Sequence, residues 1–206
     1  MQLTASQADA LTELINIGYA RAAGALSELT GHRIMLEVPQ VAVHPIAEVG
    51  QILAGRISGE VASVHQVFSG PVGGNALLVL DHEAALMLNR LLTNIPTNSN
   101  ELDASAREVL IEVGNIVLNA CLGVFGNLLQ VQVTFAVPRL HVESVTGVLN
   151  SITVGHQELH FALMIQTSFH VRESDVSGFL VIILGVTSLD RLIEELERWE
   201  KRQIAE

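Results

Sequence analysis

The sequence predicts an α+β fold built twice, with a mostly antiparallel sheet, two long helices and a pseudo-two-fold axis relating the halves. Three observations predict it. Residues 8–39 align without gaps on residues 107–138 at a constant offset of 99. Eight pairs are identical in that window: Leu11/Leu110, Glu13/Glu112, Asn16/Asn115, Ile17/Ile116, Gly24/Gly123, Leu29/Leu128, Val38/Val137 and Pro39/Pro138. The ends of the halves also correspond, since NALLVLDHEAALMLNRLL and FLVIILGVTSLDRLIEEL each read as an apolar strand, a short break and an amphipathic helix. Finally, the polar run Pro96-Thr97-Asn98-Ser99-Asn100 is made of turn formers and marks the joint. One domain of two repeats, about 1–98 and 99–206, is expected.

Each half opens with a helical pattern. Thr4 followed by Gln7 is a capping box that satisfies free amides at a helix start, and helical character continues to about Gly31. The second long helix is predicted over about Glu101–Leu129. Alternating or wholly apolar runs bounded by Gly, Pro or Ser predict strands over Ile34–Val43, Val61–Phe68, Asn75–Leu80, Gln132–Val137, His141–Leu149, Glu158–Thr167 and Gly178–Leu184. The tail Ser188–Ile204 has Leu189, Leu192, Ile193 and Leu196 at helical spacing, which predicts a core-facing stripe and an exposed Trp199.

Composition narrows the function classes. About half of the 206 residues are apolar, so the chain can build a core and is not a disordered segment. The start MQLTASQADA lacks the basic and apolar regions of a signal peptide, and no run reads as the roughly 20 apolar residues of a membrane span. A cytoplasmic location without membrane insertion is expected. Cys121 is the only cysteine, which excludes internal disulfides and cysteine-built zinc sites and suits a core thiol. A net charge of −11 argues against nucleic acid and anionic lipid, and favours a protein partner with a basic face.

The chemistry-bearing pattern lies in the two long helices. At about 100° per residue, Asp9, Glu13 and Asn16 fall within an arc of about 60°, and Glu108, Glu112 and Asn115 repeat it. Each Asn is followed, after twenty-two residues, by a proline, Pro39 or Pro138. Glu-xx-Asn alone is a weak signal, because helix surfaces are rich in both residues. The fixed-distance proline and its recurrence tighten it, although duplication by itself creates matched pairs. The competing reading is a solvated helix face plus prolines that end or edge strands.

The pattern acid-xxx-E-xx-N-(x22)-P resembles the motif of the CheC, CheX and FliY phosphatases, commonly Asp or Ser, then xxxExxN, then twenty-two residues and a proline. The resemblance spans essentially the whole chain and includes two motif copies, as in CheC, so it implies a CheC-like fold. It also implies the activity: removal of the phosphoryl group from the aspartate of a phosphorylated CheY-like response regulator in chemotaxis. Carried over by residue, Asn16 and Asn115 would place their carboxamides beside the aspartyl phosphate, and Glu13 and Glu112 would pair with a receiver lysine. Asp9 and Glu108 would contribute to docking, with Pro39 and Pro138 structural. Glu108 stands where the family has Asp or Ser, and Ile15 stands where it often has Gly, as in Glu112-Val113-Gly114-Asn115. A branched Ile15 would either crowd an approaching backbone or point into the core. The resemblance implies no cofactor or metal held by this chain, the Mg2+ coming from the receiver, and CheD as a further partner.

The chemistry is coherent on its own terms. Hydrolysis of an acyl phosphate needs a water held in line with phosphorus, and positioning supplies much of the catalysis. A neutral amide accepts from that water and still donates, without bringing negative charge to an anionic group. A Glu one turn away finds a charge-assisted partner in a lysine.

Other signals carry less. His156 and His160 are four apart but lack a third ligand nearby, and Ser69-Gly70-Pro71-Val72-Gly73-Gly74 lacks the Lys-Ser/Thr ending of a phosphate loop and reads as a hairpin connection. The alternative to an enzyme is a non-catalytic binding module, either a flagellar-switch component or a CheD-binding adaptor. No segment resembling a switch-assembly domain or a receiver-binding peptide is recognised, which favours the enzyme.

Overall fold

Local chemistry sets the helix boundaries. In the computed structural model, which describes residues 3–57, 59–93, 101–128, 130–153, 159–171 and 173–204, helix α1 covers Ala5–Thr30. Thr4 Oγ1 accepts from the Gln7 amide at 3.2 Å, Gln7 Oε1 accepts from the Thr4 amide at 2.9 Å, and Gly31 closes the helix in the left-handed conformation at φ 68°. Helix α4, Ala104–Leu128, begins where Asp103 Oδ1 accepts from the Ala106 amide at 2.8 Å. Four further helices are α2 (Ile46–Ala54), α3 (His82–Thr93), α5 (Val145–Thr153) and α6 (Val186–Ile204).

The strands are β1 (Ile34–Pro45), β2 (Glu60–Ser69), β3 (Gly74–Asp81), β4 (Thr134–Phe135), β5 (Arg139–Ser144), β6 (Leu159–Val171) and β7 (Ser174–Gly185). They form one antiparallel sheet in the order β1-β6-β7-β3-β2-β4, and β5 runs on the same side of β2 as β4, further along that strand. The first strand of each half therefore pairs with the other half: β1 lies on β6, while β4 and β5 lie on β2. In the middle β3 meets β7, with Leu77 opposite Val181.

Side chains alternate across this sheet, so it has two apolar faces. Leu78, Leu80, Leu180 and Ile182 face the larger core under α1, α3, α4 and α6. Leu77, Val79, Val181 and Ile183 face a smaller core closed by Val49 and Leu53 of α2 and Val145 and Val148 of α5.

Several expectations change. The run His141–Leu149 is not one strand: β5 stops at Ser144, whose Oγ accepts from the Gly147 amide at 3.1 Å and starts α5. Val145 and Val148, three apart, then fall on one buried helix face, whereas a strand would separate them. Gln132–Val137 shortens to the two residues of β4. Trp199 is half-buried and packs on the larger core instead of standing in solvent. Helix α4 is, among the described residues, long and apolar enough to cross a membrane, but over half of that apolar stretch is buried inside the fold. The expected joint at 96–100 and His156 lie outside the described residues.

Candidate functional site: two outward stripes on the long helices

Helix α1 presents Leu11, Leu14, Ile15, Gly18, Tyr19, Ala22 and Leu26 to the core, at steps of one, three and four residues. Turning that face inward turns Asp9, Glu13 and Asn16 outward, and all three are exposed. Ile15 is 1% exposed, so its branched side chain fills the core and does not obstruct the outer face. Helix α4 buries Leu110, Val113, Gly114, Val117, Leu118 and Cys121, and leaves Glu108 and Glu112 exposed. Asn115 differs from Asn16 in being half-buried. One turn further on, Asn119 Nδ2 donates to Asn115 Oδ1 at 2.8 Å.

The two long helices pack directly on each other. A Cβ placed on Gly18 would lie 3.0 Å from Cys121 Cα, so the missing side chain is what allows the close approach. The Cys121 thiol is fully buried, and burial pushes its pKa above the ordinary thiol range, which leaves it protonated and inert. Beside it, the buried Tyr19 hydroxyl makes a short hydrogen bond with Thr167 Oγ1 of β6. Burial likewise raises the Tyr19 pKa well above its usual value.

Both prolines interrupt edge strands. Glu37 pairs with Ser168 and Gln40 with Gln166, so Val38 and Pro39 together oppose Thr167 in a bulge of β1. Pro138 stands between β4 and β5, where Gln66 Nε2 of β2 donates to the Ala136 carbonyl at 3.0 Å across the gap. A residue without an amide hydrogen is tolerated at such interruptions.

Each stripe is thus complete on a single helix. The residue missing from the sequence reading is Asn119, and the signal for it was available: extending the stripe of α4 by four residues reaches it, whereas the same step in α1 reaches Ala20. Among the described residues, no group of three or more His, Cys, Asp or Glu is gathered as a metal site would require.

No family model matches the chain. Among curated proteins, the CheY-P phosphatase CheC of Bacillus subtilis is 25% identical over 199 residues, covering 92% of this chain and 93% of that protein. The solved structure of Thermotoga maritima FliY matches with a TM-score of 0.76 at 18% identity, over 96% of this chain and 99% of the other. Over nearly its whole length the chain is similar in sequence to a CheC and in fold to a FliY. This CheC-like fold is shared more widely: the FliM middle domain of H. pylori matches with a TM-score of 0.67 at 12% identity, over 94% of this chain and 99% of that one. A FliM of H. pylori with the same fold has been solved in complex with FliG.

Proposed function

We propose that this CheC-like protein is a phosphatase that removes the phosphoryl group from the aspartate of a CheY-like response regulator. The observation that carries the reading is the outward exposure of Glu13 with Asn16 and of Glu112 on a core-packed helix, where a docking receiver domain can reach them. The 25% identity to a CheC across nearly the full chain supports it. In the reaction, a water oxygen attacks phosphorus, the bond to the aspartyl oxygen breaks, and phosphate and a free carboxylate leave. Asn16 or Asn115 orients the water through its carboxamide oxygen and donates to a phosphoryl oxygen through nitrogen. Glu13 and Glu112 dock on a receiver lysine, and Asp9 and Glu108 extend that contact. The receiver holds the Mg2+, which neutralises phosphoryl charge. A cytoplasmic location, a duplicated architecture and CheD as a second partner accompany this reading.

Phosphate release from a phosphorylated CheY-like regulator tests it. The protein is expected to accelerate release, and N16A/N115A is expected to return the rate to that of the regulator alone while keeping the fold. Undiminished release by the double variant would refute the assignment. The likeness to FliM favours one second reading, a non-catalytic switch or adaptor module. A pull-down separates the two: the enzyme prefers phosphorylated regulator, the module binds both forms alike.

A further inference from the structure

We infer that Asn119 is a positioning residue for Asn115, and that it makes the α4 site the faster of the two. The inference rests on the phosphatase reading above and adds a residue and an asymmetry to it. Asn119 continues the stripe of Glu108, Glu112 and Asn115 by one turn, and its Nδ2 donates to Asn115 Oδ1 at 2.8 Å. Asn119 Oδ1 is buried and accepts no hydrogen bond among the described residues. An unpaired buried acceptor and a poor helix former are both unfavourable, and the alanine at the matching position of α1 avoids both. Such a local cost is typical of a functional site rather than of a structural one.

The bond has two chemical effects. It fixes the plane of the Asn115 carboxamide, leaving one lone pair on Oδ1 for the attacking water and both Nδ2 hydrogens for phosphoryl oxygens. It also draws electron density toward Oδ1, which strengthens donation from Nδ2 as negative charge develops. In α1 the matching position is the exposed Ala20, which has no donor, so Asn16 must be ordered at each encounter.

The test uses single-site proteins on a phosphorylated CheY-like regulator. N16A reports the α4 site and N115A the α1 site, and N16A is expected to keep the higher kcat. Adding N119A to N16A is expected to lower kcat about tenfold with KM and melting temperature unchanged, since docking is left intact. Adding A20N to N115A installs the same donor below Asn16 and is expected to raise kcat. It decides the matter if N119A lowers the melting temperature. An N16A protein slower than N115A, or an N119A change that leaves or raises kcat, overturns the proposal. So does an A20N protein without gain when N119A has failed to fold. Failure of the phosphatase reading looks different: the wild-type protein itself does not accelerate release, and both fall together.

Discussion

Gly114 of α4 lies so close to Val64 of β2 that a Cβ placed on it would sit 2.4 Å from Val64 Cγ1 and 2.6 Å from Val64 Cβ. The residue just before Asn115 is therefore pressed against the sheet, and its lack of a side chain sets how deeply α4 seats. Glycine in a helix interior costs about 1 kcal/mol relative to alanine, so the packing opposes the propensity. The G114A protein is expected to lose about 1–3 kcal/mol of stability in denaturant unfolding. Coupling with V64A is the check: removing the methyls relieves the closest contact while that with Cβ stays, so the double variant should recover part of the loss and be more stable than the sum of the singles.

Gly24 and Gly123 lie in the same two helices, and nothing stands within 4 Å of a Cβ placed on either. Here propensity acts unopposed. G24A and G123A are each expected to stabilise the protein by about 0.5–1 kcal/mol, seen as a raised denaturant midpoint with unchanged slope. A destabilised G24A would mean that α1 is not a regular helix at that turn.

The Tyr19–Thr167 hydrogen bond joins α1 to β6 opposite the bulge at Pro39. Thr167→Val should strand the Tyr19 hydroxyl in the core at a cost of about 1–3 kcal/mol. Tyr19→Phe should cost less, because Thr167 Oγ1 also reaches the Ile165 carbonyl at 3.4 Å. Removing both polar groups should recover much of the loss, and urea unfolding of the three variants measures it.

His170 of β6 stands between two acids on neighbouring strands. Its Nδ1 lies 2.5 Å from Asp175 of β7, and its Nε2 lies 3.3 Å from Glu37 of β1. The second contact is an ion pair by distance, and among the described residues Nε2 makes no well-aligned hydrogen bond. The bond to Asp175 first, and then Glu37, raise the His170 pKa above 6.5, while partial burial lowers it. A histidine with a raised folded pKa stabilises the fold fully below its unfolded pKa and loses that contribution as pH rises through the folded one. Stability should therefore decline from about pH 6.5 upward by more in the wild-type protein than in H170Q. Parallel pH profiles of the unfolding midpoint would contradict this. Much of each acid is exposed, so salt should shrink the difference.

What could be read from the chain and what could not divide along the range of the interactions. The cap at Thr4 and Gln7 involves residues three apart, and the continuous apolar runs of β3 and β7 are a property of each strand alone, so both were legible. The stripe of Asp9, Glu13 and Asn16 was legible for the same reason, since helical geometry places those residues together whatever surrounds them. The break at Ser144 was harder: Val142, Val145 and Val148 are β-branched residues common in strands, although their spacing of three suits a helix. The choice came from a second apolar sheet face that needed α5 to cover it.

By itself the sequence determined an α+β chain with two helices that each carry an acid, a glutamate and an asparagine on one side, because helix periodicity and capping are local. Only the tertiary structure decided that β1 crosses to β6 while β4 and β5 cross to β2, that Ile15 faces inward and that Gly114 is clamped on Val64. It also decided that the two stripes differ in exposure, Asn16 standing in solvent and Asn115 half-buried. Those outcomes depend on pairings between residues far apart in the chain, whose competition for burial no local pattern records.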